Sequence, residues 1–127
     1  MHLALLILAQ AAAEAPAPPA DWSALAPVPY AATPAVTAQL SRFVADEVTA
    51  GRCTIPRPGD GHYLVKVDVA AWLEPDGVVK RAVPRAIACP TVEQYSAGLV
   101  TSFARGNIKA KPAPGWYRTT ITFDWRQ

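Results

Sequence analysis

Cys53 and Cys89 are the residues of this chain with the most evident chemistry. An even number of cysteines predicts a disulfide if the chain is exported, because disulfides persist in oxidising compartments. Closing the loop between these two residues would constrain the unfolded chain and stabilise a small domain by roughly 3 to 4 kcal/mol. Two separate buried thiols are the alternative. Cys89 also precedes a predicted helix, a position that lowers a thiol pKa and suits a nucleophile, but a disulfide is the preferred interpretation.

No motif for catalysis or metal binding accompanies the cysteines. The sequence contains no glycine-rich phosphate loop, no nucleophile elbow and no metal-ligand spacing. His62, at a strand start, could serve as a general base, although an ordinary, partly exposed histidine is the simpler interpretation. Asp46 and Glu47 are adjacent on a predicted helix and therefore point apart. We accordingly predict a protein with no catalytic residues, no metal site and no cofactor.

Apolar side chains at solvent-facing positions are the remaining candidates for function. Leu64, Trp72 and Trp116 fall on the face of the predicted sheet that is turned away from the helices, among charged and hydroxyl residues. Exposed apolar residues can mark an interaction surface. The residues predicted to bind a partner are Leu64, Trp72, Trp116, Arg118, Thr120 and Thr122. The alternative is that Trp22 and Tyr30 fold back from the preceding segment and cover this face.

A strand predicted over residues 116–126 offers a second way to bind a partner. Apolar and polar residues alternate along it, and it is rich in threonine and aromatic residues. A strand at the edge of a sheet can add an extended segment of a partner through backbone hydrogen bonds. The sequence leaves the strand order open, so it does not say which edge is available.

A β-hairpin over residues 63–83 positions most of these side chains. Apolar residues alternate along its first strand, and Pro75, Asp76 and Gly77 then suit a type I turn closed by a bulge. A lone hairpin is marginal in water, so other elements must cover its apolar face. The final strand should therefore join the hairpin as a third antiparallel member.

Two helices are predicted from the residues at their ends. Thr33 and Pro34 fit the cap and the first position of a helix that ends at Gly51. Thr91 and Gln94 fit the capping box of a second helix, which precedes the last strand. The predicted fold class is α+β, with a two-layer arrangement of a three-stranded antiparallel sheet and two helices on one face, in the order α-β-β-α-β.

An apolar run near the N-terminus predicts export. It is too short for the ~20 residues that cross a bilayer, but it has the length and the small residues of a signal peptide. We predict a signal peptide over residues 1–11, with cleavage near Ala11 to Ala13; the alternative is an apolar N-terminal helix that is retained. Residues 12–33 are rich in alanine and proline, which favours an extended spacer. Residues 34–127 then form the folded domain, and no membrane span is expected.

The charge pattern excludes two classes of partner. The chain has 12 basic and 10 acidic residues, a net charge of +2 and no run of like charge. Proteins that bind nucleic acids or membrane surfaces carry basic patches or stripes. We therefore predict no nucleic-acid partner and no membrane-surface binding.

Several of these elements together resemble the C-terminal domains of TonB and TolA. The resemblance covers roughly residues 34–127. The residues that carry it are the helix from Pro34, the strand ending Leu73-Glu74-Pro75-Asp76-Gly77, the cysteine before the helix with Val92, Tyr95, Leu99 and Phe103, the Lys111-Pro112 pair, and the closing Thr120-Ile121-Thr122-Phe123 strand.

The resemblance implies a periplasmic, non-enzymatic module that binds a protein by strand addition or through the aromatic sheet face, with a link to outer-membrane transport. The implied partner is a segment of a periplasmic or outer-membrane protein, and a homodimer through the exposed aromatic residues stays open. TolA-like domains also have a disulfide that reaches the start of the later helix, which Cys53 and Cys89 could match. The alternative function is a small-ligand carrier or an exported enzyme with its site between the sheet and the helices.

Overall fold

Residues 15–127 are described by the computed structural model, in which both helices lie on one face of a three-stranded sheet. In chain order the elements are α1 (Ala38–Thr49), β1 (His62–Leu73), β2 (Val79–Pro84), α2 (Pro90–Ala104) and β3 (Gly115–Arg126). The predicted α+β fold and its order α-β-β-α-β are confirmed. The predicted signal peptide and its cleavage region lie outside the described residues. Neither helix in the described part of the chain is long and apolar enough to cross a membrane.

The sheet is antiparallel and has the strand order β2-β1-β3. β3 pairs with the whole of β1, from His62 opposite Arg126 to Leu73 opposite Gly115. β2 is shorter and pairs with only the second half of β1. The strand order, which the sequence left open, thus makes β2 and β3 the two edges of the sheet.

The hairpin turns at the predicted residues. The Gly77 amide donates to the Glu74 carbonyl at 2.9 Å, and the Asp76 carboxylate accepts from the Val78 amide at 3.0 Å. Gly77 has a φ of +81°, which an L side chain rarely adopts and glycine adopts readily. The pairing of β1 with β2 shifts by one residue beside the turn, as a bulge requires.

The core lies between the inner face of the sheet and the two helices. α2 packs across β1 and β2, whereas α1 packs against β3. Full burial of an aliphatic or phenyl side chain contributes about 1.5 to 3 kcal/mol. The largest fully buried apolar side chains are Val44, Val67, Val69, Leu73, Val92, Val100 and Phe123.

The start of α1 differs from the prediction. The helix begins at Ala38, where the Thr37 hydroxyl accepts from the Leu40 amide at 3.3 Å. The predicted start at Thr33 and Pro34 is wrong: proline at the first helical position favoured Thr33, but residues 33–37 are not helical and the capping hydroxyl is that of Thr37. Pro34 is compatible with extended chain, and it lines a groove with β3 instead of opening the helix.

The capping of α2 also differs from the prediction. Its N-cap residue is Cys89, which makes no side-chain cap bond. The Glu93 carboxylate accepts from the backbone amides of Cys89 at 3.1 Å and Ile87 at 3.0 Å. The predicted capping box of Thr91 and Gln94 is therefore wrong, because the helix begins at Pro90 and Thr91 already lies inside its first turn. Glu93 instead bonds the amides before the helix, where a negative charge is favourable.

A disulfide and a buried carboxylate join the two helices. Cys53, in the loop after α1, is bonded to Cys89 at the start of α2, which confirms the predicted pairing. Nearby, the buried Glu47 accepts from Arg52 Nε at 2.7 Å and from the Thr91 hydroxyl at 3.0 Å. The bond from Arg52 holds the pKa of Glu47 below its ordinary value, and the bond from Thr91 adds to this effect.

We expect Glu47→Gln to lower the free energy of unfolding at neutral pH and to flatten its acid dependence. Since the pKa of Glu47 is lower in the folded state, its stabilising effect is complete above the unfolded pKa of about 4.3 and is lost as the pH falls through the folded pKa. The stability difference between wild type and variant should therefore shrink below about pH 4. Urea midpoints across this range measure it, with Asp46→Asn at the exposed neighbouring position as control. Parallel pH profiles for wild type and Glu47→Gln would contradict the assignment.

Candidate partner-binding site

The six predicted binding residues lie on one face of the sheet. The pairing of β1 with β3 places Leu64 opposite Asp124, Trp72 opposite Trp116 and Thr120 opposite Asp68. Even-numbered residues of both strands point away from the helices, because side chains alternate along a strand. We call this surface the outer face.

The apolar members of the set lie at opposite ends of the outer face. Trp72 and Trp116 meet edge to face with ring centroids 5.6 Å apart, and both are half-buried. Leu64 is 54% exposed. It lies eight residues from Trp72, which is ~26 Å along a strand. The structure therefore brings the two tryptophans together and leaves Leu64 apart, without a continuous apolar patch.

The N-terminal strap, which we define as residues 15–33, crosses the outer face. Its Pro16 carbonyl accepts from Trp116 Nε1 at 3.1 Å, and its Ala20 carbonyl accepts from Arg85 at 3.2 Å. The Arg85 guanidinium lies 4.0 Å from the ring centroid of Trp22, which is only 9% exposed. The strap is thus folded back on the sheet at Trp22. This agrees with the alternative interpretation of the sequence, in which Trp22 and Tyr30 cover this face.

Tyr30 was expected to cover the outer face, but it lies away from that face. It forms an isolated bridge with Ile108, and its hydroxyl oxygen is buried. Tyr30 therefore does not cover the tryptophans of the outer face. Leu64 also remains exposed, so the strap covers only part of the predicted surface.

The strap pairs with the outer edge of β3 at one residue. The Val28 amide donates to the Arg118 carbonyl at 2.9 Å, and the Arg118 amide donates to the Ala26 carbonyl at 2.9 Å. The pairing is parallel and is centred on Pro27. Arg118 Nε also donates to the Leu25 carbonyl at 2.8 Å. At Arg118 the chain therefore already binds an extended segment at its own sheet edge.

The backbone hydrogen bonds of Arg118 show which backbone groups of β3 point away from β1. Its amide and carbonyl both bond to the strap, so they face away from β1, and in an antiparallel strand every second residue does the same. Thr120, Thr122 and Asp124 follow this pattern. The Asp124 amide donates to the Ser41 hydroxyl of α1 at 3.2 Å. The outward backbone groups of Thr120 and Thr122 have no hydrogen-bond partner among the residues that the structure describes.

The β2 edge is less suited to strand addition. β2 has six residues, and Pro84 at its end has no amide hydrogen to donate. Lys80 and Arg81 are exposed along it, and charged side chains on an edge oppose pairing with another strand. The gap on the β3 edge at Thr120 and Thr122 is therefore the better candidate.

A groove lies beside this gap, on the helix side of the edge. Its volume is about 260 Å³, and Val36, Phe103, Ile121 and Tyr30 contribute to its walls. The Tyr30 hydroxyl oxygen is buried. Burial raises the pKa of Tyr30, and the nearby Thr119 hydroxyl opposes part of that rise. The groove has these apolar walls and is also lined by the polar residues Thr33, Arg118, Thr119 and Thr120.

A polar cleft lies on the other side of the same edge. It has a volume of about 520 Å³ and is lined by Asp21, Trp22, Ser23, Asp68, Arg85, Arg118, Thr119 and Thr120. Asp21 already accepts from the amide and hydroxyl of Ser23 at 2.9 and 2.7 Å, which lowers the pKa of its carboxyl group. Asp68 accepts from the Thr120 hydroxyl at 2.6 Å. Both carboxylates are therefore engaged by hydroxyl groups.

The two guanidinium groups of this cleft keep unused donors. Each makes one hydrogen bond to a strap carbonyl, whereas an arginine side chain has five N–H donors. Neither Arg85 nor Arg118 forms an ion pair within 4.0 Å in the described part of the chain. The cleft therefore presents more donors than acceptors to a ligand.

The residues with possible catalytic chemistry lie outside these pockets. His62 Nε2 is 3.2 Å from Asp124 Oδ1 on the surface. Cys53 and Cys89 are both in the disulfide, so neither is a thiol nucleophile. No group of three or more His, Cys, Asp or Glu side chains suited to a metal ion occurs within the described residues.

Sequence reasoning missed Arg85 and Ser41 as parts of this region. They reach the β3 edge from separate segments, so only the folded arrangement brings them there. Asp68 follows from alternation on the same strand as Leu64, and Tyr30 was expected to fold back but lies beside the groove.

Comparison with protein-family models, with curated protein sequences and with solved structures finds no match for this chain. The likeness to TonB and TolA therefore stays a prediction from the residues that carry it.

Proposed function

We propose that this protein is a non-enzymatic binding module that adds an extended segment of a partner protein to the β3 edge at Thr120 and Thr122. The observation that supports it most directly is the parallel pairing of the strap at Arg118, since it shows this edge holding an extended segment. The next two outward-facing residues offer the same backbone groups. Strand addition of this kind gives affinity through the backbone and specificity through the side chains.

The proposed compartment is the periplasm. A disulfide suits an oxidising compartment, and the disulfide links two elements of this domain. With the resemblance to the C-terminal domains of TonB and TolA, this supports a segment of a periplasmic or outer-membrane protein as the partner. A role in outer-membrane transport is part of the same proposal.

The packing disfavours the alternative sites. A ligand between the sheet and the helices would need space that Val69, Val100 and Phe123 fill, since all three are fully buried. The aromatic part of the outer face is held in part by the strap, because Trp116 donates to the Pro16 carbonyl. Self-association through Trp72 and Trp116 would have to displace that contact, and the β3 edge requires no such step.

Thr120→Pro is expected to weaken partner binding at least about tenfold, because it removes the outward backbone donor and leaves a partner carbonyl unpaired. The Thr120 amide points away from β1, so the pairing within the sheet keeps its own hydrogen bonds. The probe is a set of peptides selected on the wild-type protein from a random-peptide phage library. Fluorescence anisotropy of labelled peptides then compares wild type and variant.

Ala82→Pro is the matched control, since the pairing of β2 with β1 places the Ala82 amide on the opposite edge of the sheet. It should leave peptide affinity unchanged. If Thr120→Pro does not fold, an ester in place of the Thr120 amide, introduced by semisynthesis, removes the same donor with little change in shape. Selection of no binding peptide, or full affinity in a folded Thr120 variant, would overturn the proposal.

A further inference from the structure

The groove and the polar cleft share one stretch of the β3 edge. Arg118, Thr119 and Thr120 line both, although the groove opens on the helix side and the cleft opens on the outer face. A strand added beside them would place its side chains alternately on these two sides. The two pockets would therefore receive the side chains of consecutive residues of any added segment.

Resting on the proposed strand addition, we infer that the partner segment carries a large apolar residue with an acidic residue next to it. The apolar residue pairs beside Ile121 and enters the groove. The acidic residue pairs beside Thr120 and lies near Arg118 on the outer face. This specifies the chemistry of the partner, which strand addition alone leaves open.

The walls of the groove select the apolar residue. Ile121 is buried, and Val36 and Phe103 are half-buried beside it. An apolar side chain would remove the remaining exposed surface of these walls from water, a gain of about 25 cal/mol per Å². A polar side chain would lose its hydration against these apolar walls, and the Tyr30 hydroxyl is itself buried.

Charge on the outer face selects the acidic neighbour. The nearest carboxylate to Thr120 is that of Asp68, and it already accepts the Thr120 hydroxyl. Lys66 lies opposite Thr122 and is exposed, while Arg118 precedes Thr120 by two residues on the same face. Asp124, the other acid near this edge, faces His62 at 3.2 Å. The hydrogen bond from Thr120 leaves the negative charge of Asp68 in place, and Asp21 also lines the cleft. The basic side chains of Lys66, Arg85 and Arg118 still outnumber these two carboxylates, so an acidic partner residue is favoured on this side.

Selection from a random-peptide phage library tests the inference through the composition of the selected peptides. We expect enrichment of an acidic residue directly beside a large apolar residue. Replacing the acid by its amide in a selected peptide should weaken binding to the wild type about threefold, the range of a cross-strand ion pair. The same replacement should have no effect on binding to Arg118→Gln, while Arg57→Gln, an exposed arginine in a loop, should behave as the wild type.

Arg118→Lys separates charge from the contact with the strap. Lysine keeps the charge and lacks the Nε bond to the Leu25 carbonyl, so it should retain the preference for an acidic peptide. Peptides that bind in a Thr120-dependent manner without an acidic and apolar pair would overturn this inference and leave strand addition standing. A pair that remains equally preferred by Arg118→Gln would also overturn it. A library that yields no binder would overturn both proposals.

Discussion

Replacing both members of the Cys53–Cys89 disulfide by alanine is expected to lower the free energy of unfolding by about 4 kcal/mol. The bond closes a loop of 36 residues that contains all of β1 and β2. In the reduced chain this loop gains conformational freedom, which favours the unfolded state. The free energy of unfolding of a small domain is about 5 to 15 kcal/mol, so this disulfide provides a large share of the stability.

Urea denaturation measures this effect in two independent ways. The wild type should lose stability when a reducing agent is added, and the double alanine variant should be indifferent to the agent. Thr54→Ala, next to Cys53 and exposed, serves as the control for substitution in this loop. An unchanged urea midpoint after verified reduction would show that the loop is held by its other contacts alone.

Phe123→Ala is expected to destabilise the domain by about 3 to 5 kcal/mol, the range for removing a phenyl group from a core. Phe123 is fully buried on the inner face of β3. Its ring centroid is 5.9 Å from that of Tyr95 in α2, and it pairs with Val65 in β1. The cavity left by alanine would therefore face both layers of the fold.

Thr122→Ala, at the preceding position, is the matched control for Phe123→Ala. Thr122 points to the outer face, where substitutions usually change stability by no more than about 0.5 kcal/mol. Thermal and urea unfolding of the two variants compare the inner and outer faces of one strand. Equal losses would contradict the assignment of these faces.

The sheet could be predicted because its signals are local. Alternation of apolar residues is read within one strand, and the turn at Pro75 to Gly77 is set by the backbone preferences of adjacent residues. The start of α1 could not be predicted in the same way. Thr33 and Thr37 both carry a capping hydroxyl, and the choice between them depends on how the strap meets β3.

The same distinction between local and non-local signals applies to the candidate site. The side chains on the outer face follow from alternation, so Trp116, Arg118 and Thr120 were found from the sequence. The occupancy of the edge could not be found, because it depends on the strand order and on a segment some ninety residues earlier in the chain pairing with Arg118. The groove is beyond local reasoning for the same reason, since separate segments build its walls.

The course of the strap determines how the domain responds to mechanical load. Its contacts succeed one another along the chain, at Pro16, Ala20, Trp22, Leu25 and Val28. Tension applied ahead of Pro16 would load these contacts one after another, beginning with the contact at Pro16. The strap would therefore detach contact by contact, without all the contacts breaking together. Release of the pairing at Ala26 and Val28 would uncover the outward backbone groups of Arg118 and lengthen the free part of the β3 edge by one outward-facing residue. The contacts of residues 29–32 with residues 107–109 would still hold the strap. Tension on this side of the protein would therefore change the length of edge that is open to pairing.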